Sequence, residues 1–310
     1  MYQYKKNSII KLSLLAGFLL TSISQAQVCR VSTSGTNNAS GSSWQQTKNL
    51  QSALNSPVNC PEIWVKSGVY YPTAGTDRNI SFSIKPGVEV YGGFYGTETT
   101  LTQRDYLYNK AILSGDIGVS NSVSDNSYHV VYLDGSSATG IFQSTIIDGF
   151  IIRDGYADNS NGGGLNCYAQ GSNSACSPIL RNLVFRDNVA KNGGAIYNQG
   201  YDAGDTRPVI LNVQFINNRT LTGFEYGDGG AIFNDAHDGI SSPVLENVEF
   251  INNSANDYGG AISNQASSGG QSNLVISRAT FSQNTARIGG AISVRKFDVS
   301  IANPTISNST

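Results

Sequence analysis

Residues 178–198 read PILRNLVFRDNVAKNGGAIYN. The pattern returns from Pro208 as PVILNVQFINN followed by GGAIFN, and from Pro243 as PVLENVEFINNSANDYGGAISN. A looser copy, LVISRATFSQNTARIGGAISV, runs from Leu274 to Val294. Phe185, Phe215, Phe250 and Phe281 mark the period, with spacings of 30, 35 and 31 residues. Length varies mainly just before and just after GGAI, as expected of strands that hold register while their loops change. Self-similarity at this spacing is the mark of a stacked repeat.

The aligned copies show which side chains share a face. Leu180, Ile210, Leu245 and Ile276 form one apolar column, Leu183, Val213, Val248 and Ala279 a second, and the four phenylalanines a third. The second and third columns are two residues apart, as one face of a strand requires. The first and second are three apart, so the chain must bend near Asn182, Asn212 and Asn247. Asn188, Asn218, Asn253 and Asn284 follow each Phe by three. An asparagine there tolerates left-handed turn geometry, and its amide can both donate to and accept from its counterpart one repeat away.

A unit this short cannot bury its apolar face alone. Stacked in parallel at about 4.8 Å, such units bury a continuous core and pair every backbone group. The sequence therefore predicts an all-β, right-handed single-stranded parallel β-helix. The pairs Gly193-Gly194, Gly229-Gly230, Gly259-Gly260 and Gly289-Gly290 suit tight bends between close coils. Ile196, Ile232, Ile262 and Ile292 then return to the interior. An antiparallel sandwich offers no reason for Asn and Gly ladders at a 30-residue period, and the glycine pairs exclude an α-solenoid.

The GGAI motifs at 193, 229, 259 and 289 and the Phe-x-x-Asn motifs at 185, 215, 250 and 281 resemble the repeats of the chlamydial polymorphic outer-membrane proteins. The resemblance covers roughly 178–294. It implies a surface-exposed passenger involved in adhesion, ordinarily followed by a membrane β-barrel. Nothing after Val294 is long enough for such a barrel, so export through its own barrel is not expected.

Upstream, IIDGFIIR (146–153) with GGGL (162–165) reads as a degenerate copy, and His129–Leu133, Val88–Tyr91 and Ile80–Ile84 as earlier strands. Ser43 and Gln46 form a capping-box pattern ahead of Thr47, Leu50 and Leu54, which predicts an amphipathic helix over 43–55 covering the first coil. That helix and the following EIWVKSGVYYP (62–72) resemble the opening segment of pectin-lyase-like β-helix proteins. At the other end Phe297, Val299 and Ile301 alternate like a last strand, with no capping helix after it, so a partner or missing module is expected over that coil. The organisation expected is a signal peptide at 1–26, an N-terminal cap at 27–72, the β-helix at 73–302 and a tail at 303–310. The clearest coils are 145–177, 178–207, 208–242, 243–272 and 273–294.

Composition bounds the function. Only 14% of the 310 residues are charged and the net charge is −2, which excludes a strongly basic nucleic-acid binder. Lys5, Lys6 and Lys11, the apolar run Leu12–Ile23 and Ser24-Gln25-Ala26 make a secretory signal too short to span a bilayer, and no later stretch does better. A secreted or outer-membrane-surface location follows. Cys29, Cys60, Cys167 and Cys176 then favour disulfides, Cys29 with Cys60 and Cys167 with Cys176, over a zinc site that lacks Cys-x-x-Cys spacing.

A polysaccharide lyase or glycosidase needs carboxylates converging from successive coils. The outward columns instead read Arg181, Leu211, Glu246, Ser277 and Val184, Gln214, Glu249, Thr280, neither of which stacks acids. No catalytic residue and no cofactor is expected. Asp228, Asp235 and Asp238 are weak Ca²⁺ candidates without EF-hand or RTX spacing, and His237 between two of them reads as a solvated loop residue. Tyr197 and Phe233 occupy the outward position after GGAI in adjacent coils. With Tyr201, Tyr226 and Tyr258 nearby, they are the candidate ligand-binding residues, a row of exposed rings for a glycan or surface protein. The expected function is adhesin-like binding, with a pectin-lyase-like enzyme as the alternative.

Overall fold

The computed structural model describes residues 27–137, 139–223 and 227–310. The signal peptide expected at 1–26 and the candidate Tyr226 lie outside the described residues. The chain winds into a right-handed parallel solenoid of about eight turns. One long sheet runs through Val28–Thr36, Glu62–Lys66, Glu89–Phe94, Ile146–Asp148, Ile179–Arg186, Val209–Ile216, Val244–Ile251, Val275–Ser282 and Thr305–Ser307. A second, seven-stranded sheet faces it, including Val131–Asp134, Leu165–Gln170, Ile196–Tyr201, Ile232–His237 and Ile262–Ser267. All these pairings are parallel; the register shifts between Val65 and Lys66 where Glu62–Lys66 meets Glu89–Phe94, and in the later coils Phe185 lies on Phe215, Phe215 on Phe250 and Phe250 on Phe281.

Packing follows the columns. The four Phe rings stack with centroids 5.3, 4.7 and 4.9 Å apart and nearly parallel planes. Beside them the amide of Asn188 donates to Asn218, Asn218 to Asn253, and Asn253 to Asn284, each at 3.0 Å. Each also donates to a backbone carbonyl of the preceding coil, Ile152, Phe185 and Phe215 respectively. These buried amides are thus satisfied, which removes the penalty of a polar group in the shaft. A second inner ladder, Asn198 to Asn234 to Asn264, runs under the facing sheet and was not anticipated; there the buried Asn198 Oδ1 has no hydrogen-bond partner.

The bend expected near Asn182, Asn212 and Asn247 is present, with φ of +55°, +55° and +54°. The ladder asparagines, however, are not the left-handed residues. That role falls one position earlier, on Asp187, Asn217, Asn252 and Gln283, because a side chain turned into the shaft needs the kink just before it. In the glycine pairs the first residue is left-handed, Gly229 at φ +67° for example. The second is small for a different reason: a Cβ on Gly230 would lie 2.1 Å from the carbonyl oxygen of Gly260 in the next coil.

Both ends depart from expectation. The helix over 43–55 is only α1, Leu50–Leu54, and its cap is Asn49, whose side chain accepts from the N–H of Gln51 and Ser52. Backbone bonds from Thr36 to Thr47 (3.1 Å) and from Asn49 to Thr36 (3.1 Å) hold 47–49 extended against the first strand, Val28–Thr36. Gln46 accepts from the Ser40 hydroxyl at 2.9 Å, so the Ser43 capping box does not form. Leu50, Ala53 and Leu54 still pack into the main core at this end, and the disulfides Cys29–Cys60 and Cys167–Cys176 are formed. At the other end Phe297, Val299 and Ile301 make a turn with a single bridge from Ile301 to Gln271 rather than a strand. Residues 303–310 are no tail. Thr305–Ser307 pairs with Val275–Ser277, and Asn308 at φ +48° repeats the left-handed bend, so NPTISNST is one more copy of the SPIL-RN motif.

Candidate functional site

The outward face of the long sheet is partly roofed by the segment 95–110, and the roof is built around charge. The Glu98 carboxylate accepts the backbone N–H groups of Tyr95, Gly96 and Thr97 at 2.6–2.9 Å. Burial alone would raise its pKa, but these donors outweigh it and hold the carboxyl below its ordinary value. Farther on, Arg104 reaches Asp148, a side chain 1% exposed that also takes Arg181, both at 2.6 Å. Asn182 adds an amide hydrogen bond to Asp148 at 2.8 Å. The Arg104 guanidinium lies over the rings of Tyr91 and Tyr106 at 5.2 and 5.4 Å. A buried carboxylate held by two arginines and an amide meets the condition under which such charge is tolerated.

This anchoring places Tyr106 as one wall of a groove of about 230 Å³, with Leu107 and Lys110 beside it. The floor is the column Ile151, Val184, Gln214, Glu249, which passes from apolar to acidic along the solenoid. Gln214 donates to Glu249 at 2.8 Å. Along one edge runs the amide ladder of the bend: Tyr106 donates to Asn182 Oδ1 (3.2 Å), Asn212 to Asn182 (3.3 Å) and Asn247 to Asn212 (2.8 Å). Asn212 and Asn247 each spend one N–H on the ladder and Asn182 one on Asp148, so each amide retains a second. The neighbouring acid, Glu246, is ion-paired with Arg278.

The aromatic row expected on the opposite sheet exists but is not a surface. Tyr197 and Phe233 stack at 5.6 Å, yet they are only 2% and 4% exposed. The Gly162 turn lies against Tyr197, close enough that a Cβ there would meet Tyr197 Cβ at 2.9 Å, and the Gly193 turn lies against Phe233, whose backbone N would be 3.2 Å from such a Cβ. Beneath that cover Tyr197 and Tyr201 donate to one oxygen of Asp235 at 2.9 and 2.5 Å. Burial pushes Asp235 above the ordinary carboxylate value, and the two hydroxyls only partly offset it. Burial likewise raises Asp228, which is ion-paired with Arg295. Arg295 in turn lies 3.8 Å over the ring of Tyr258. Of the three Ca²⁺ candidates, Asp228 and Asp235 are therefore already engaged, and Asp238 sits apart in an exposed left-handed turn. Among the described residues no group of three or more metal-ligating side chains comes together. His237 ends a strand and bonds Ser267 Oγ at 3.0 Å.

With these positions known, the comparisons fall into place. Residues 182–199, 212–235, 247–270 and 278–295 match the Chlamydia polymorphic membrane protein repeat. Each match begins at the left-handed bend residue and runs through the Phe, the ladder Asn and the glycine pair. The repeats thus supply the bend ladder and the Gln214–Glu249 part of the floor, while the Tyr106 wall lies outside them. No curated protein matches the chain in sequence. The crystal structure of Escherichia coli YbhC aligns over 99% of this chain and 74% of its own length, at 14% identity and a TM-score of 0.45.

Val184, Gln214 and Glu249 are legible in the sequence as an outward column, but a column without stacked acids carries no signature of a site. The wall could not be read there, because nothing in the spacing of Tyr106 shows that Arg104 ties its segment to Asp148, a residue of a later coil.

Proposed function

We propose that this chain is a bacterial surface or secreted protein that binds a glycan chain in the groove beneath Tyr106, without turning it over. The repeat matches and the solenoid suggest an outer-membrane or surface protein, and among the described residues no helix is long and apolar enough to cross a membrane. The observation that carries the binding role is the groove itself. It has an immobilised tyrosine wall for the apolar face of a sugar ring and a row of amides for hydroxyls. Its floor holds one carboxylate, Glu249, already shared with Gln214, whereas hydrolysis by the usual route takes two.

Glycan-array screening followed by calorimetry on the mature chain tests this. Tyr106→Ala should weaken the strongest glycan by about tenfold, the scale of one aromatic contact, in a chain that remains folded. The bound glycan should show no new reducing or unsaturated ends after prolonged incubation. Binding that survives Tyr106→Ala, or product formation, overturns the reading.

A further inference from the structure

A second concavity lies at the N-terminal end, between α1 and the facing sheet. Its volume of about 540 Å³ falls within the range of about 300–1,000 Å³ of small-ligand sites. Gln51 contributes from α1 and Asn55 from its C-cap, Ser83 and Tyr132 from paired strands of the facing sheet, and His129 from the turn before Tyr132. Asn79, Ile80, Ser81 and Pro72 complete the lining.

The lining contains no carboxylate, ammonium or guanidinium. Charges stand beside it: Lys85 donates to Ser83 Oγ at 3.1 Å, Asp77 accepts from Asn79 at 3.0 Å, and the Asp134 carboxylate acts on Tyr132. His129 is itself held uncharged, since burial lowers its pKa. Its Nδ1 lies 2.9 Å from the carbonyl oxygen of Gly162 and so must be the protonated nitrogen. The other nitrogen, Nε2, is therefore an acceptor, and among the described residues its hydrogen-bond partner is the Ser160 hydroxyl at the long distance of 3.5 Å. Beside it the Tyr132 ring, centroids 5.9 Å apart, is only half-buried. Tyr132 belongs to the same outward column as Tyr197 and Phe233, but here no glycine turn closes over it.

We infer that this pocket is a binding site for an uncharged sugar unit, stacked on Tyr132 with a hydroxyl donating to His129 Nε2. An aromatic face, a neutral imidazole acceptor and several amides and hydroxyls match a polyhydroxylated ring. A uronate or sugar phosphate would enter a partly dry pocket with no cation inside it, which opposes its binding. The inference does not depend on the groove, and the experiment separates the two sites.

Glucose, galactose and N-acetylglucosamine, with glucuronate and glucose 6-phosphate as charged counterparts, are titrated into the mature chain by calorimetry and ligand-observed NMR. The neutral sugars should bind at millimolar affinity and the charged ones at least about tenfold more weakly. Tyr132→Ala should weaken binding by about tenfold, and Ser83→Trp, which fills the pocket from a half-buried position, should abolish it. Tyr106→Ala in the groove should leave it unchanged. Failure of all three neutral sugars, equal binding of the charged ones, or indifference to Ser83→Trp in a folded variant overturns the inference.

Discussion

From Ile179 to Val294 the coils repeat one plan, whereas the coils between Val28 and Arg153 do not share its turns. The later coils repeat the Phe stack, the inner amides and the glycine pair, and they close over their own side chains so well that Tyr197 and Phe233 disappear from the surface. The earlier coils bend with Gly149 at φ +84° in place of an asparagine, carry the long insertion 95–110, and leave Tyr132 half-open. One outward column thus has two fates, decided by whether a glycine turn lies over it. Regular repetition produces a closed shaft, and both concavities occur where regularity is interrupted.

That contrast can be broken first where the regular half is strongest. Phe215→Ala removes the middle of a close-packed file and should cost about 3–5 kcal/mol, measured by chemical denaturation. A loss below about 1 kcal/mol would mean that the four rings do not form one continuous core.

The N-terminal coils should respond differently, because they lean on a covalent brace. Replacing both Cys29 and Cys60 by Ala should cost about 2–4 kcal/mol. In a solenoid each coil contacts only its neighbours, so hydrogen exchange should accelerate in 28–66 while the coils from Ile179 onward stay protected. Uniform loss of protection along the whole chain contradicts a two-part molecule.

The smallest effect concerns the covered face. Burial makes Asp235 more easily protonated in the folded state than an ordinary aspartate, which titrates near 3.8. Its favourable contribution is therefore complete below that value and is lost as pH rises through the higher folded pKa. The stability of Asp235→Asn relative to the native chain should accordingly increase with pH above about 4. Parallel stability curves for the two proteins between pH 4 and 8 would show that Asp235 is not desolvated and that this face is open to water.

Much of the architecture was legible because a 30-residue period superimposes residues that must then pack. Leu180, Leu183 and Phe185, the bend at Asn182, the inward Ile196 and the two disulfides could all be placed from spacing and type alone. The copy NPTISNST at 303–310 was equally readable, yet it was obscured by the alternation of Phe297, Val299 and Ile301. The helix over 43–55 came out short because Thr36, distant in sequence, takes the backbone of 47–49 into strand pairing. The candidate sites were harder to read. Alternation tells which residues point outward, but Tyr197 and Phe233 point outward into a cover.

By itself the sequence determined the stacking, its register and the contents of the shaft. Those depend on each residue meeting its own counterpart one coil away, and a repeat writes that relation out in one dimension. Only the tertiary structure decided what is exposed. Whether Tyr197 is covered, Tyr106 held or Tyr132 left open depends on turns that differ from coil to coil and on single long-range contacts such as Arg104 with Asp148, which follow no period.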